Sequence, residues 1–183
     1  MQPDPIPSLI GERYGKVHHA IPGRCFDDFM SRTNRLGGGA ALGFRRAGAQ
    51  PLFLEQYLDE AIEVAVSRAM GGCVARENII EIGNLASDNG RSMIALWGQA
   101  ANDFGSHCEY AVATLTAPVR AMFARIGLPI TQLAQAAPAA LGEAADAWGR
   151  YYDLDPCVCA GQIAAGQRAL AAYAARIHRS AAA

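Results

Sequence analysis

Residues 79–91, Ile-Ile-Glu-Ile-Gly-Asn-Leu-Ala-Ser-Asp-Asn-Gly-Arg, decide how this chain reads. An apolar run carries one embedded acid, Glu81, then breaks into a small polar turn holding Gly90 and Arg91. A long apolar helical segment follows. Strand, short turn and helix start, in that order, set backbone N–H groups and the positive end of a helix beside a carboxylate. The expectation is an anion-binding turn next to a desolvated acid.

Working outward from that stretch, 78–85 is the predicted central strand and 91–104 a helix ended by Gly105. Residues 109–115 read as a further strand. Ala117–Ile126 reads as a helix with Pro118 in its first turn and Gly127 as its stop. On the N-terminal side, Ala40–Arg45 is a short buried strand after the turn Gly37-Gly38-Gly39. Pro51–Leu58 is a mixed apolar run, strand or helix entrance. A helix over 60–70 is capped by Asp59 and stopped by Gly71-Gly72. Residues 1–11 read as a loose lead-in and 12–35 as short helical or irregular pieces. Toward the C-terminus, 133–147 is alanine-rich and partly helical, Trp148–Val158 strand-like, and 162–179 an amphipathic helix with a basic end. Strands alternating with helices imply a mixed α/β layer fold, one domain over residues 12–180.

The composition fits one core: 183 residues, 51% hydrophobic, formal net charge −1. A charge that small gives no bulk field for nucleic acid or an acidic membrane. The N-terminus is proline-broken and lacks a signal-like apolar run. No stretch reaches the ~20 apolar residues of a membrane helix. A cytoplasmic location without stable membrane insertion is expected. Five cysteines, with Cys157-Val-Cys159 at the wrong spacing for a zinc knuckle, read as buried thiols. His18-His19 has no third ligand at helical spacing, so no metal is expected.

Several separated motifs resemble the thermostable hemolysin family. They are Ala41–Arg45, Pro51-Leu-Phe-Leu-Glu-Gln-Tyr-Leu-Asp59, Ile80–Ser87, Trp148-Gly-Arg-Tyr-Tyr-Asp153 and Pro156–Gly161. They occur in the family's order from about Glu12 to Leu170. The family name describes a haemolysis phenotype. The fold it implies is similar to that of GCN5-related N-acetyltransferases and acyl-homoserine-lactone synthases: α/β, an acyl-CoA N-acyltransferase-like (GNAT-like) mixed sheet flanked by helices. Such enzymes bind acyl-CoA or the phosphopantetheine of an acyl-carrier protein in a V-shaped opening between two central parallel strands.

The resemblance implies an N-acyltransferase that moves an acyl group from a thioester to a small amine or amino acid. Glu81 matches a glutamate of the lactone synthases, and desolvation within an apolar strand raises a carboxylate's pKa toward working pH, as a general base needs. The residues alone leave open a carboxylate satisfied by an arginine or by backbone donors. Glu55 and Tyr57 face the same side of an extended segment, suiting amine positioning or a proton relay. Asn84, Leu85 and Ala86 supply backbone N–H groups toward the thioester carbonyl. Ser87, Gly90 and Arg91 form the donor's phosphate turn, with Asp88 placing a negative charge at its mouth. Thr114 and Arg120 are expected at a pantetheine amide or acyl carbonyl. Phe123, where many acetyltransferases carry tyrosine, joins Trp148, Tyr151 and Tyr152 as substrate-pocket walls. Two alternatives stand beside this reading: a membrane-active protein, with the last helix as its amphipathic element, and a non-catalytic GNAT-like binding domain. A homodimer through a sheet edge is a further expectation.

Overall fold

The computed structural model describes residues 5–20, 25–26, 28–33 and 38–181. Its strands are β1 (Asp28–Thr33), β2 (Gly39–Arg46), β3 (Ile79–Ser87), β4 (Tyr110–Leu115), β5 (Thr131–Gln135) and β6 (Cys157–Gln162). They form one sheet in the order β1-β2-β3-β4-β6-β5. The helices are α1 (Pro5–His18), α2 (Ile62–Met70), α3 (Gly90–Phe104), α4 (Ala117–Ile126) and α5 (Ile163–Ala181). 3₁₀ segments cover Phe53–Tyr57, Arg76–Asn78 and, at greater length, Pro138–Leu154, the last kinked at Gly142 and Gly149.

Alternation along the strands divides the core between the two faces of the sheet. Ala40, Leu42 and Ile80 pack against Leu96, Trp97 and Phe104 of α3 and Leu170 of α5. On the opposite face, Ile79, Val112 and Val158 pack with Ile62 and Val66 of α2. Ala41 and Ala86 meet Ile10 and Tyr14 of α1 and Trp148 and Tyr151 of the long 3₁₀ segment.

The pairing of β3 creates the site. It runs parallel to β4 only through Ile79↔Tyr110, Ile80↔Ala111 and Glu81↔Val112. Beyond Glu81, β3 stays with β2, whereas β4 stays with β6 as far as Leu115↔Cys157. The strands therefore part at Glu81. The cause lies in β3, whose register with β2 shifts between Ala41↔Ala86 and Gly43↔Gly83. That shift inserts an extra residue, a β-bulge, and Asn84 takes a left-handed φ of 48° within it. The bulge resets the side-chain phase: Asn84 turns toward the α1 side, and Leu85 returns to the apolar side with Ile82.

Several sequence expectations need correction. Residues 5–11, read as a loose lead-in, form the first half of α1. Pro51–Leu58 is neither strand nor α-helix but holds a 3₁₀ turn. Within 133–147, the start belongs to strand β5 and the remainder to the 3₁₀ segment. Trp148–Leu154 is also 3₁₀, with the strand starting at Cys157. Helix α2 is capped from Ala61 rather than Asp59. Gly37 of the glycine turn lies outside the described residues, whereas Gly39 opens β2.

Candidate active site

Two cavities flank the place where β3 and β4 part. One, of about 80 Å³, is lined by Tyr14, His18, Phe26, Phe53, Tyr57, Glu81, Asn84, Thr114, Trp148 and Tyr151. The other, of about 110 Å³, lies on the opposite face among Trp97, Phe104, Phe123, Ile163 and Leu170. Ile82, Leu85 and Leu115 line both, so the two meet through the split in the sheet. Glu81 stands at the start of that split.

Glu81 is 2% exposed. Its carboxylate accepts from the backbone N–H groups of Phe53 at 2.8 Å and Leu54 at 2.9 Å. The Arg45 guanidinium lies 3.9 Å away. These contacts favour the charged form, but burial outweighs them and pushes the carboxyl up to about 7. Glu81 is thus both held by backbone donors, as the sequence allowed, and poised to exchange a proton near neutrality.

The 3₁₀ turn that presents those N–H groups is fixed from behind. Glu55 accepts from the N–H groups of Leu52 and Ile62 and receives a bidentate contact from Arg76 at 2.6 and 2.8 Å. Arg76 holds the Glu55 carboxyl down at about 2. The tight turn separates Glu55 from Tyr57, so the shared orientation expected of an extended segment is not found. Glu55 lies outside the cavity lining; Tyr57 lines it and shares a 2.8 Å hydrogen bond with the Tyr152 hydroxyl. Burial, then the hydrogen bond to Tyr152, raises the Tyr57 phenol, so it keeps its proton at neutral pH.

Trp148 and Tyr151 form a wall with Tyr14: ring centroids of Trp148 and Tyr151 are 5.3 Å apart, and those of Tyr14 and Trp148 6.2 Å. The Tyr151 hydroxyl donates to the Thr114 carbonyl at 3.1 Å. Phe26 fills a slot between cross-strand partners Gly43 and Gly83, where a Cβ would lie 2.7 and 2.4 Å from its ring. Three polar atoms of the lining, His18 Nδ1, Asn84 Oδ1 and Thr114 Oγ1, are buried without a hydrogen-bond partner. Asn84 and Leu85 also have no register partner on β2, where the bulge interrupts the ladder.

At the far end of β3, Asn89 caps α3 by accepting from the Ser92 N–H at 2.9 Å, and the Ser87 hydroxyl donates to the Asn89 carbonyl at 2.7 Å. Asp88 is paired with Arg13 of α1 and accepts from the Gly39 N–H at 2.7 Å. Arg13 first, then that N–H, lowers its pKa. The negative charge expected at the mouth is therefore compensated. Gly90 and Arg91 open onto a groove of about 1000 Å³ that also takes in Arg125 and Tyr173.

Of the remaining candidates, Phe123 lies edge-on to Trp97, with centroids 4.4 Å apart, in the apolar cavity. Arg120 is not brought to the cavity: it is engaged by the Leu115 carbonyl at 2.7 Å and by Asp155 at 2.6 Å. Ala86 is buried under α1. Sequence reading missed Tyr14, His18, Phe26 and Phe53. The only local signal was the i, i+4 spacing of Tyr14 and His18, which sets both rings on one helical face. Among the described residues, no group of three or more His, Cys, Asp or Glu side chains could hold a metal ion.

The architecture matches solved structures across nearly the whole chain. TofI, crystallised in a ternary complex with an inhibitor and MTA, superposes with a TM-score of 0.59 at 15% identity, covering 93% of this chain and 91% of that one. FeeM, an N-acyl amino acid synthase from uncultured soil microbes, gives 0.58 at 13% identity over 89% and 87%. BjaI, a CoA-dependent acyl-homoserine lactone synthase solved with SAM and isopentyl-CoA, gives 0.52 at 14% identity over 84% and 67%. At these identities the likeness establishes the fold, that of the acyl-homoserine lactone and N-acyl amino acid synthases. No curated protein sequence matches the chain. The thermostable hemolysin profile matches residues 2–167, and the chain belongs to that family.

Proposed function

We propose that the protein is an N-acyltransferase that moves an acyl group from an acyl thioester, borne by acyl-CoA or an acyl-carrier protein, to a small amine or amino acid. The observation that carries this reading is the position of Glu81: a buried carboxyl near 7 where the central strands part, between an aromatic, partly polar cavity and an apolar one. The neighbours' names, N-acyl amino acid synthase and CoA-dependent acyl-homoserine lactone synthase, support the same class.

In this reading the acyl chain occupies the apolar cavity along Phe123, and the amine enters the cavity walled by Tyr57, Trp148 and Tyr151. Glu81 takes one proton from the ammonium. The neutral amine attacks the thioester carbon, and the amides of Asn84 and Leu85 receive the developing oxyanion. The C–S bond breaks, the nitrogen's second proton passes to the thiolate, and an amide and a free thiol leave. Overall, thioester and ammonium give amide, thiol and one proton. The phosphate common to both donor types lies at the α3 start, with Arg91 and Arg125. Thr114 Oγ1 faces the pantetheine amide. Tyr152 holds Tyr57 in place.

The test is mass spectrometry of purified protein with a panel of acyl-CoA and acyl-carrier-protein donors and pooled amines and amino acids. Thioester loss matched to a new acyl-amine mass, absent with Glu81→Gln, is the expected result. Turnover undiminished in Glu81→Gln would remove the general-base assignment, and no donor consumption by wild type would remove the reading itself.

A further inference from the structure

The reaction described above uses the backbone of Asn84 and leaves its side chain idle. Yet that side chain is among the most constrained polar groups of the site. Asn84 is 6% exposed, and its Oδ1 is buried without a partner. Its left-handed φ of 48° belongs to the bulge, and the residue lines the cavity shared with Glu81. A carbonyl oxygen sealed from water without a donor is unfavourable, and a bound donor relieves it.

The surroundings define that donor. A carboxylate group and the rings of Tyr14, Phe26, Phe53, Tyr57, Trp148 and Tyr151 line the same cavity. Aromatic faces and acceptor oxygens together favour a cation with several N–H groups. We propose that Asn84 Oδ1 is the second acceptor for the nitrogen of the acyl acceptor, making Asn84 a binding residue that selects primary amines over alcohols and thiols. The assignment rests on the N-acyltransferase reading and goes beyond it to the chemistry of the acceptor head group.

The count of hydrogens supports this role. A primary ammonium offers one N–H to Glu81 and another to Asn84. After Glu81 removes its proton, the neutral nitrogen remains bonded to Asn84. It pivots about that bond, swinging its lone pair from Glu81 toward the thioester carbon. One of the remaining protons is lost to the thiolate and one stays on the amide nitrogen. An alcohol or thiol has a single hydrogen. Once Glu81 takes it, Asn84 Oδ1 is left without a donor, a mismatch that discriminates strongly in buried polar sites.

Asn84→Gly is the informative variant, because glycine adopts positive φ without strain and keeps the bulge while deleting the carboxamide. Two-substrate kinetics are measured on the full chain for each donor and primary amine that wild type couples, and for the alcohol isostere of each amine. The expected result is an amine KM raised at least tenfold, an unchanged donor KM, and a smaller preference for amine over alcohol. Asn84→Asp restores an acceptor oxygen and is expected to recover the amine KM, with its pH profile displaced upward by the added negative charge beside Glu81. Thermal melts establish that each variant is folded. Should Asn84→Gly not fold, Asn84→Leu, which fills the space without an acceptor, is compared with Asn84→Asp by the same kinetics. An unchanged amine KM, or a rise confined to the donor, overturns the assignment while leaving acyl transfer standing. Absence of any amine coupling by wild type overturns both.

Discussion

At Glu81, two backbone N–H groups and an arginine pull the carboxyl toward its ionised form, while burial pushes the other way and prevails. The resulting value of about 7 sets a specific expectation. The carboxylate must be ionised to accept a proton, so kcat/KM for the amine should rise with pH through about 7 and then level off. Glu81→Gln should remove that limb and lower the rate by about 10²–10⁴-fold, the usual contribution of general-base catalysis. A full pH–rate profile of both proteins checks this. Gly83 carries a steric prediction. A methyl group there meets the Phe26 ring at 2.4 Å in a slot closed on the other strand by Gly43. Gly83→Ala should therefore cost about 1–3 kcal/mol, as overpacked cores do, and push the ring into the cavity beside Glu81. A thermal melt and the amine KM report the two effects separately.

Among the elements, those specified by local chemistry were legible in the sequence. Helix α4 spans the expected Ala117–Ile126 because a proline opens it and Gly127 closes it at a φ of 81°. Strands β2 and β3 lie within two residues of their expected ends, since their apolar runs are bounded by polar turns. Helix α1 was missed because Pro5 suggested a break, although proline suits the first turn, where the N–H has no intrahelical partner. Strand β5 and the long 3₁₀ segment were missed because an alanine-rich run carries no period to read. The bulge at Asn84 and the contact of Glu81 with Phe53 and Leu54 depend on pairing between distant segments, and no local signal encodes them. Glu55 was recognisable as important; its task, bracing the 3₁₀ turn through Arg76, was not. Its pKa is depressed, so the stability it confers is complete above about pH 4.5, the ordinary carboxylate range, and is lost as pH falls toward about 2. Glu55→Gln should lower stability at neutral pH and flatten the acid limb of a melting-temperature curve taken from pH 7 to pH 2.

At the scale of the whole molecule, no helix of the described residues is long and apolar enough to cross a membrane. Under the proposed reaction the product, an acylated amine, has the chemistry of a detergent, and that gives the family name a test. Lysis of red cells should require both donor and amine and should vanish with Glu81→Gln; lysis by the variant alone would point to direct membrane action. The split sheet has a further consequence. Its two cavities lie on opposite faces and share Ile82, Leu85 and Leu115 in their linings. Under the proposed reaction, the product would pass through the sheet like a thread through cloth, its tail on one side and its head on the other. Its release would then be slowed by the passage of one end between Ile82, Leu85 and Leu115. The first turnover should outrun those that follow, and rapid-quench experiments should show a burst of product equal to the enzyme present, larger in relative terms as the acyl tail lengthens.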